Sequence, residues 1–546
     1  MHISDAAIIF IASCPFVSAW SWSLNNITGY APFIAQCPQD GNIVRNAVGI
    51  SPGEALFLAN RKPKASMALK IWLGGLKAGF DTRYIPTIAL TSSGGGFRAC
   101  LAGAGVVKGF DGREKTNSSA VSGLYQAFTY HAGLSGGSWL LSSLASHNFP
   151  LVTELKDSLW KKTFANSYFF PDSGSDWKHY KTAHKSIESK EDAGFDNTLT
   201  DVWGTLLAYQ LLPDGGATTT LSGLTALSSI QKGEAPYPII TSLGVLTSKG
   251  QCLPKANATQ YEFHPYEMGS WDRGVHSFNG SLLPQLPIPN GTLFTRCYNG
   301  YDNLGYVLGT SSHLFNEYCY PFARQESLAG RLLDLLPKFQ KILHPLHQKN
   351  THDFYATYPN PFFNLSTAPL VAADRELMLV DGGESNQNNP IWPLIQTARD
   401  VDVVIVNDNS ADTNHLPDGT AIRQTYVEAL AAGLHKMPYI PPQLEFISRN
   451  LTSHALAFGC SEPNTVTMIY LPNAQFSYPS GMATTLMQYK PNQTDGMIAN
   501  GAQVASQNGD PEWPVCLGCI LMKKTRGRLP AVCGKCFEKY CYKQAN

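Results

Sequence analysis

Residues 131–139 read His-Ala-Gly-Leu-Ser-Gly-Gly-Ser-Trp, which sets Ser135 between Gly133 and Gly137 in a G-x-S-x-G pattern. An apolar run from Leu124 to Ala132 precedes it and reads as a strand. Ser138 to His147 follows and reads as a helix. A strand that turns sharply into a helix is the context this pattern needs. The turn lifts the serine oxygen clear of the sheet edge, and the glycines permit positive φ and close backbone approach. The helix N-terminus then presents the positive end of its dipole to developing negative charge. A purely structural Gly-rich turn has the same five letters, so the reading needs support from elsewhere in the chain.

Two other stretches supply it. Residues 85–99, Ile-Pro-Thr-Ile-Ala-Leu-Thr-Ser-Ser-Gly-Gly-Gly-Phe-Arg-Ala, read as a short buried strand, a glycine run and a helix beginning at Phe97. Residues 377–394 read as an apolar strand ending in Asp381-Gly-Gly, with Asn389-Pro390 opening a helix. Val401 to Val406 reads as another strand, so the order strand–turn–helix–strand predicts a parallel sheet with helical crossovers. Three strand ends thus carry a glycine loop, a serine and an aspartate. That is the equipment for acyl transfer, in which backbone N–H groups stabilise an oxyanion and a base activates a hydroxyl.

Taken together, SSGGGFRA at 92–99, GLSGGSW at 133–139 and DGGESNQNNPIWPLI at 381–395 resemble the patatin and cytosolic phospholipase A superfamily, and most closely the fungal lysophospholipase (phospholipase B) family. The likeness continues into YAPFIAQCP at 30–38 and the Cys-rich tail from 516. It implies an α/β, patatin-like three-layer sandwich with a mostly parallel central sheet and a large cap insertion. It implies Ser135 as nucleophile, Asp381 as general base without a histidine, Gly95 and Gly96 as oxyanion donors, and Arg98 as the residue that binds substrate phosphate and organises the site. The implied reaction is hydrolysis of the acyl ester of lysophospholipids, and of diacyl phospholipids as a second substrate class, through an acyl-serine. The substrates are met at a micelle or membrane surface. Neither metal nor cofactor is implied, and no EF-hand loop stands out, so activity without calcium is expected. Two other readings stay open. One is an α/β-hydrolase lipase with a His-dependent triad drawing on His415, His435 or His454. The other is a non-catalytic binding module on the same scaffold. Asn386, Asn388 and Asn389 either orient Asp381 or cap the next helix.

Composition matters mainly for compartment. The chain has 41 basic and 41 acidic residues, which argues against electrostatic capture of nucleic acid. Charged residues make up only 15% of it, below the usual quarter, so another source of solubility is needed. N-x-S/T sequons at Asn26, Asn117, Asn257, Asn279, Asn290, Asn364, Asn450 and Asn492 offer one if the protein is secreted. Ala6 to Ala19 is apolar and ends in Val17-Ser18-Ala19, the form of a signal peptide with a small-residue cleavage site. No later run reaches transmembrane length, and the polar end Cys541 to Asn546 lacks the form of a GPI signal.

Removing 1–19 takes Cys14 and leaves eleven cysteines. The resembled family often has Met at the position of Cys100, so Cys100 is expected free and buried, with the other ten in five disulfides. Cys516-x-x-Cys519 and Cys533-x-x-Cys536 suit a zinc ribbon in a reducing compartment and disulfides in an oxidising one. The expected organisation is a signal peptide at 1–19, an N-terminal helical segment at 20–84, the catalytic domain at 85–510 with its cap at about 148–370, and a Cys-rich tail at 511–546. Nothing in the sequence specifies an oligomeric state.

Overall fold

The computed structural model describes residues 29–37, 43–115, 119–166, 176–272, 275–278, 282–284, 297–316, 354–366, 369 and 371–544. The signal peptide expected at 1–19 and the sequons Asn26, Asn117, Asn279 and Asn290 lie outside the described residues.

In chain order the strands are β1 (Phe33–Ala35), β2 (Val44–Asn46), β3 (Ile88–Ser92), β4 (Phe128–Leu134), β5 (Tyr237–Val245), β6 (Gln260–Phe263), β7 (Glu267–Ser270), β8 (Val275–Phe278), β9 (Leu282–Pro284), β10 (Cys297–Asn299), β11 (Ala356–Pro359), β12 (Glu376–Asp381), β13 (Val403–Asp408), β14 (Leu456–Phe458) and β15 (Thr467–Pro472). The helices that position the site are α1 (Pro52–Gly75), α2 (Gly96–Phe110), α3 (Gly136–Ser146), α4 (Leu199–Leu211), α5 (Leu304–Ser311), α6 (Pro491–Ser506), α7 (Trp513–Leu521) and α8 (Cys533–Tyr540).

The heart of the main sheet is five parallel strands in the order β15-β13-β3-β4-β5. All five are almost wholly buried, which is why each reads as an apolar run rather than an alternating one. Antiparallel strands extend the sheet on both flanks, β14 beyond β15, and β6-β7-β8-β2 beyond β5. A separate small sheet pairs β1, β10 and β9 antiparallel, with Cys37 bonded to Cys297 beside it.

Helices cover both faces. Tyr130 of β4 and Tyr237 of β5 face α1: the Tyr130 hydroxyl donates to Glu54 at 2.9 Å, and the Tyr237 ring lies 5.0 Å from that of Phe57. On the opposite face His131 meets Ser92, and Ser92 lies under Gly103 of α2. Ser51 caps α1 by accepting the Glu54 N–H at 2.9 Å, as the Ser-Pro-Gly-Glu pattern predicts. Helix α6 crosses α2 at close range, where a Cβ on Gly501 would stand 2.1 Å from the Ala102 carbonyl oxygen. That contact fixes the helix that begins at the glycine loop.

Several expectations change. The N-terminal segment is not only helical, since β1 and β2 belong to sheets. Residues 148–370 do more than cap: β5 is a central strand, with β6, β7 and β8 beyond it. Asn389-Pro390 opens no α-helix; two 3₁₀ turns, Trp392–Ile395 and Thr397–Arg399, follow. Pro393 cannot donate the first i→i−4 bond of a helix starting at 390. The tail packs as α7 and α8, joined by Cys516–Cys536 and Cys519–Cys533 and tied to the sheet by Cys460–Cys541. Cys252 is also disulfide-bonded, and Cys100 is free and buried. The paired CxxC segments therefore hold disulfides, not a ribbon of thiolates.

Candidate active site

Strands β4 and β12 run toward each other along one edge of β5. Leu134 pairs with Thr241, and Asp381 pairs with the next residue, Ser242. Strand β6 occupies the opposite edge of β5 over the same stretch. The two strands therefore meet end to end, which brings Ser135, one residue past β4, against Asp381. The sequence predicted β12 as one more parallel strand; it is antiparallel to β5, and that reversal creates the meeting.

Ser135 has φ 49° and ψ −121°, the strained turn between β4 and α3. Gly133 and Gly137 keep negative φ and act through close approach instead. A Cβ on Gly137 would lie 2.0 Å from the Ser92 carbonyl oxygen, and one on Gly133 2.7 Å from that of Gly137. Positive φ belongs to the loop glycines, Gly95 at 135° and Gly96 at 62°. The Gly94 N–H is engaged by the Asn388 carbonyl at 3.0 Å, whereas no acceptor takes the N–H of Gly95 or Gly96 among the described residues.

A cavity of about 550 Å³ is lined by Ser135, Asp381, Gly95, Gly96 and Arg98 together. Trp203, Leu253, Pro254 and Leu314, from the predicted cap segment, line it with Trp139 and Met487. Asp381 is 5% exposed. Burial pushes its carboxyl up to about 7, against hydrogen bonds from the Gly383 N–H, at 2.7 Å, and from the Ser135 side chain. A carboxyl with that affinity can take and return a proton near neutral pH.

Arg98 is buried, and burial lowers its guanidinium to about 10, so it stays charged at neutral pH. It makes no ion pair with a carboxylate among the described residues. Nε and Nη2 donate to the Asn409 carbonyl at 3.2 and 2.9 Å, and Nη1 donates to the Met482 carbonyl at 2.6 Å and to Thr484 Oγ1 at 2.9 Å. Of the five N–H groups a guanidinium carries, one on Nη2 is left uncommitted by these contacts. Asn388 clamps the loops, Asn386 ends the 3₁₀ turn after Asp381 in a left-handed conformation, and Asn389 caps nothing.

The histidine alternatives do not converge. His415, His435 and His454 are exposed, and none lines the cavity. His131 is buried and pushed down to about 3 by burial, between Ser92 and Tyr125. No motif pointed to Ser311, whose Oγ accepts the Ser135 N–H at 3.0 Å. Only its place on the apolar helix α5 hinted at burial.

The fold that carries these residues is the fold of cytosolic phospholipase A2. Human GIVD cytosolic phospholipase A2 aligns over 89% of this chain and 69% of its own, with a TM-score of 0.68 at 18% identity. Sequence makes the relation closer: the lysophospholipase catalytic domain matches residues 88–545, through the Cys-rich tail. Similar curated proteins include the lysophospholipase of Arthroderma benhamiae, 36% identical over 94% of this chain and 86% of that protein, and Lysophospholipase 1 of Candida albicans, 36% identical over 94% and 89%. The chain belongs to the lysophospholipase catalytic-domain family. Among the described residues no helix is long and apolar enough to cross a membrane.

Proposed function

We propose that the chain is a secreted, calcium-independent lysophospholipase/phospholipase B that works through a Ser135–Asp381 dyad. The observation that carries the proposal is the end-to-end meeting of β4 and β12, which sets a strained serine beside a buried carboxyl raised to about 7.

Asp381 takes the Ser135 hydroxyl proton as Oγ attacks the ester carbonyl of a lysophospholipid. The uncommitted N–H groups of Gly95 and Gly96 receive the developing oxyanion. Collapse expels the glycerol alkoxide, which takes the proton from Asp381, and leaves an acyl-serine. Water then attacks the acyl carbon, giving its proton to Asp381. Fatty acid leaves as Ser135 regains its proton. Arg98 holds the three loops around the cavity and offers its remaining N–H to the substrate phosphate. Secretion is supported by the apolar leader, the disulfides, and four described sequons, Asn257, Asn364, Asn450 and Asn492, all exposed.

The test is fatty-acid release from lysophosphatidylcholine with excess chelator, for wild type, Ser135→Ala and Asp381→Asn. Activity that survives chelation and is lost in both folded variants is expected. Activity retained in Asp381→Asn removes the proposed base; wild type inactive on this lipid yet labelled at Ser135 by a fluorophosphonate removes the substrate class.

A further inference from the structure

The junction of β4 and β12 leaves a break along the edge of β5, where the chain turns away at Ser135. Ser311, the last residue of α5, fills that break. Its Oγ accepts the Ser135 N–H at 3.0 Å and donates to the Thr241 carbonyl at 2.7 Å. A hydroxyl has one proton and two lone pairs, so both bonds form at once. Ser311 and Thr241 are both buried, so no solvent competes for either bond.

Two residues further on, His313 extends the brace. The His313 carbonyl accepts the Asp381 N–H at 2.8 Å. The His313 ring is fixed by Thr200 Oγ1 at 2.7 Å and the Phe354 carbonyl at 2.5 Å. One short segment thus holds the main-chain N–H of both residues at the junction, through a side chain for Ser135 and a carbonyl for Asp381. Ser135 needs such a hold, because a non-glycine residue at its φ and ψ persists only where the surroundings fix it.

We propose that Ser311 is the positioning residue for the nucleophile. It locks the strained turn, and by engaging the Ser135 N–H it takes that amide out of the oxyanion hole, leaving the role to Gly95 and Gly96. This rests on Ser135 being the nucleophile.

The experiment compares wild type, Ser311→Ala, Ser311→Cys, Ser311→Thr and Ser135→Ala. It measures kcat and KM on lysophosphatidylcholine, the rate of fluorophosphonate labelling with the labelled peptide identified, and thermal unfolding. Ser311→Ala is expected to lower kcat and the labelling rate together, by about ten- to hundredfold, with KM within about twofold. Ser311→Thr, which keeps the hydroxyl, restores both. Should Ser311→Ala not fold, Ser311→Cys, with a weak acceptor of similar size, gives the same readout. Wild-type kcat and labelling in folded Ser311→Ala or Ser311→Cys overturn the brace alone. Labelling that persists in Ser135→Ala overturns the nucleophile and the brace with it.

Discussion

Gly94 and Asn388 exchange two hydrogen bonds. The Gly94 N–H donates to the Asn388 carbonyl at 3.0 Å, and Asn388 Nδ2 donates back to the Gly94 carbonyl at 3.1 Å. The pair joins the glycine loop after β3 to the loop after Asp381, across 294 residues of chain. The same Nδ2 donates to Ser410 Oγ at 2.9 Å, and Ser410 stands two residues past β13. Asn388→Ala keeps the first bond and deletes the others. A buried acceptor left without its donor costs about 1–3 kcal/mol, so thermal and denaturant unfolding should show a loss of that order. Displacement of the Gly95 and Gly96 amides should lower kcat by about tenfold or more in the folded variant, measured at saturating lysophosphatidylcholine. A stability loss with unchanged kcat would make the clamp a scaffold element only.

Arg98 separates two roles that the sequence could not. Four contacts commit it to the scaffold, and one N–H remains for substrate. Arg98→Lys keeps the charge and removes the planar fork. If the remaining donor meets the substrate phosphate, kcat/KM on lysophosphatidylcholine should fall by about ten- to hundredfold more than on a neutral monoacylglycerol of the same chain. Equal losses on both esters would restrict Arg98 to holding the loops.

The three strand ends were legible because each has a local signature: an apolar run closed by glycine, serine or aspartate. The Ser51 cap was legible for the same reason, from Ser-Pro-Gly-Glu at 51–54, whereas the disulfide reading of the CxxC pairs followed from the expected oxidising compartment and not from their spacing. What escaped depends on partners distant in sequence. Strand β5 is interrupted by Pro238 and Gly244, so it blends into the irregular stretch around it. The direction of β12 is set by which strand it pairs with, and no feature of Glu376–Asp381 encodes that. Ser311 carries no local pattern at all; its meaning comes from Ser135, 176 residues earlier. Of the two roles expected of the glycines in the serine turn, positive φ and close backbone approach, the second is the one that demands them: Gly137 packs on the Ser92 carbonyl and Gly133 on that of Gly137.

Ser312 should act on binding, in contrast to its neighbour. Its Oγ accepts the indole N–H of Trp139 at 3.1 Å and of Trp203 at 2.9 Å, and both rings line the cavity. Ser312→Ala removes the acceptor that the two indole N–H groups share, so the rings lose their common anchor and must shift. The expected result is a KM for lysophosphatidylcholine raised by about threefold or more, with fluorophosphonate labelling of Ser135 little changed. A fall in kcat at constant KM would place Ser312 in the same brace as Ser311.

The tail offers a chemical check. Cys516–Cys536 and Cys519–Cys533 close spans of 20 and 14 residues, and loops of this size are worth about 3 kcal/mol each when cross-linked. Digestion without reductant should release these two linked peptide pairs, and the Cys516→Ser/Cys536→Ser variant should lose stability of that order in denaturant melts. Stoichiometric zinc in purified protein, with five free thiols on unfolding, the four of the CxxC pairs and Cys100, would contradict the disulfide reading.

Asp381 ties activity to stability through one proton. As the proposed base it must be ionised, so kcat/KM should fall tenfold per unit as pH drops below about 7, the value to which burial raises it. The same shift carries a sign for folding. The carboxyl titrates near 3.8 when exposed and near 7 in the folded chain, so the folded state binds the extra proton between those values. Its contribution to stability is therefore complete below about 3.8 and is lost as pH rises through about 7. The loss is on the order of 4 kcal/mol from the size of the shift. Asp381→Asn keeps an oxygen for the Gly383 N–H and removes the buried charge. It should be inactive, more stable than wild type at pH 8, and about equal to it near pH 4, because every other titrating group is shared by the two chains. Denaturant melts of both across that range test the sign directly. A variant no more stable than wild type at pH 8 would mean that the folded chain bears the charge without strain, and a kinetic limb near pH 4 would agree with that and remove the basis for proton transfer at neutral pH.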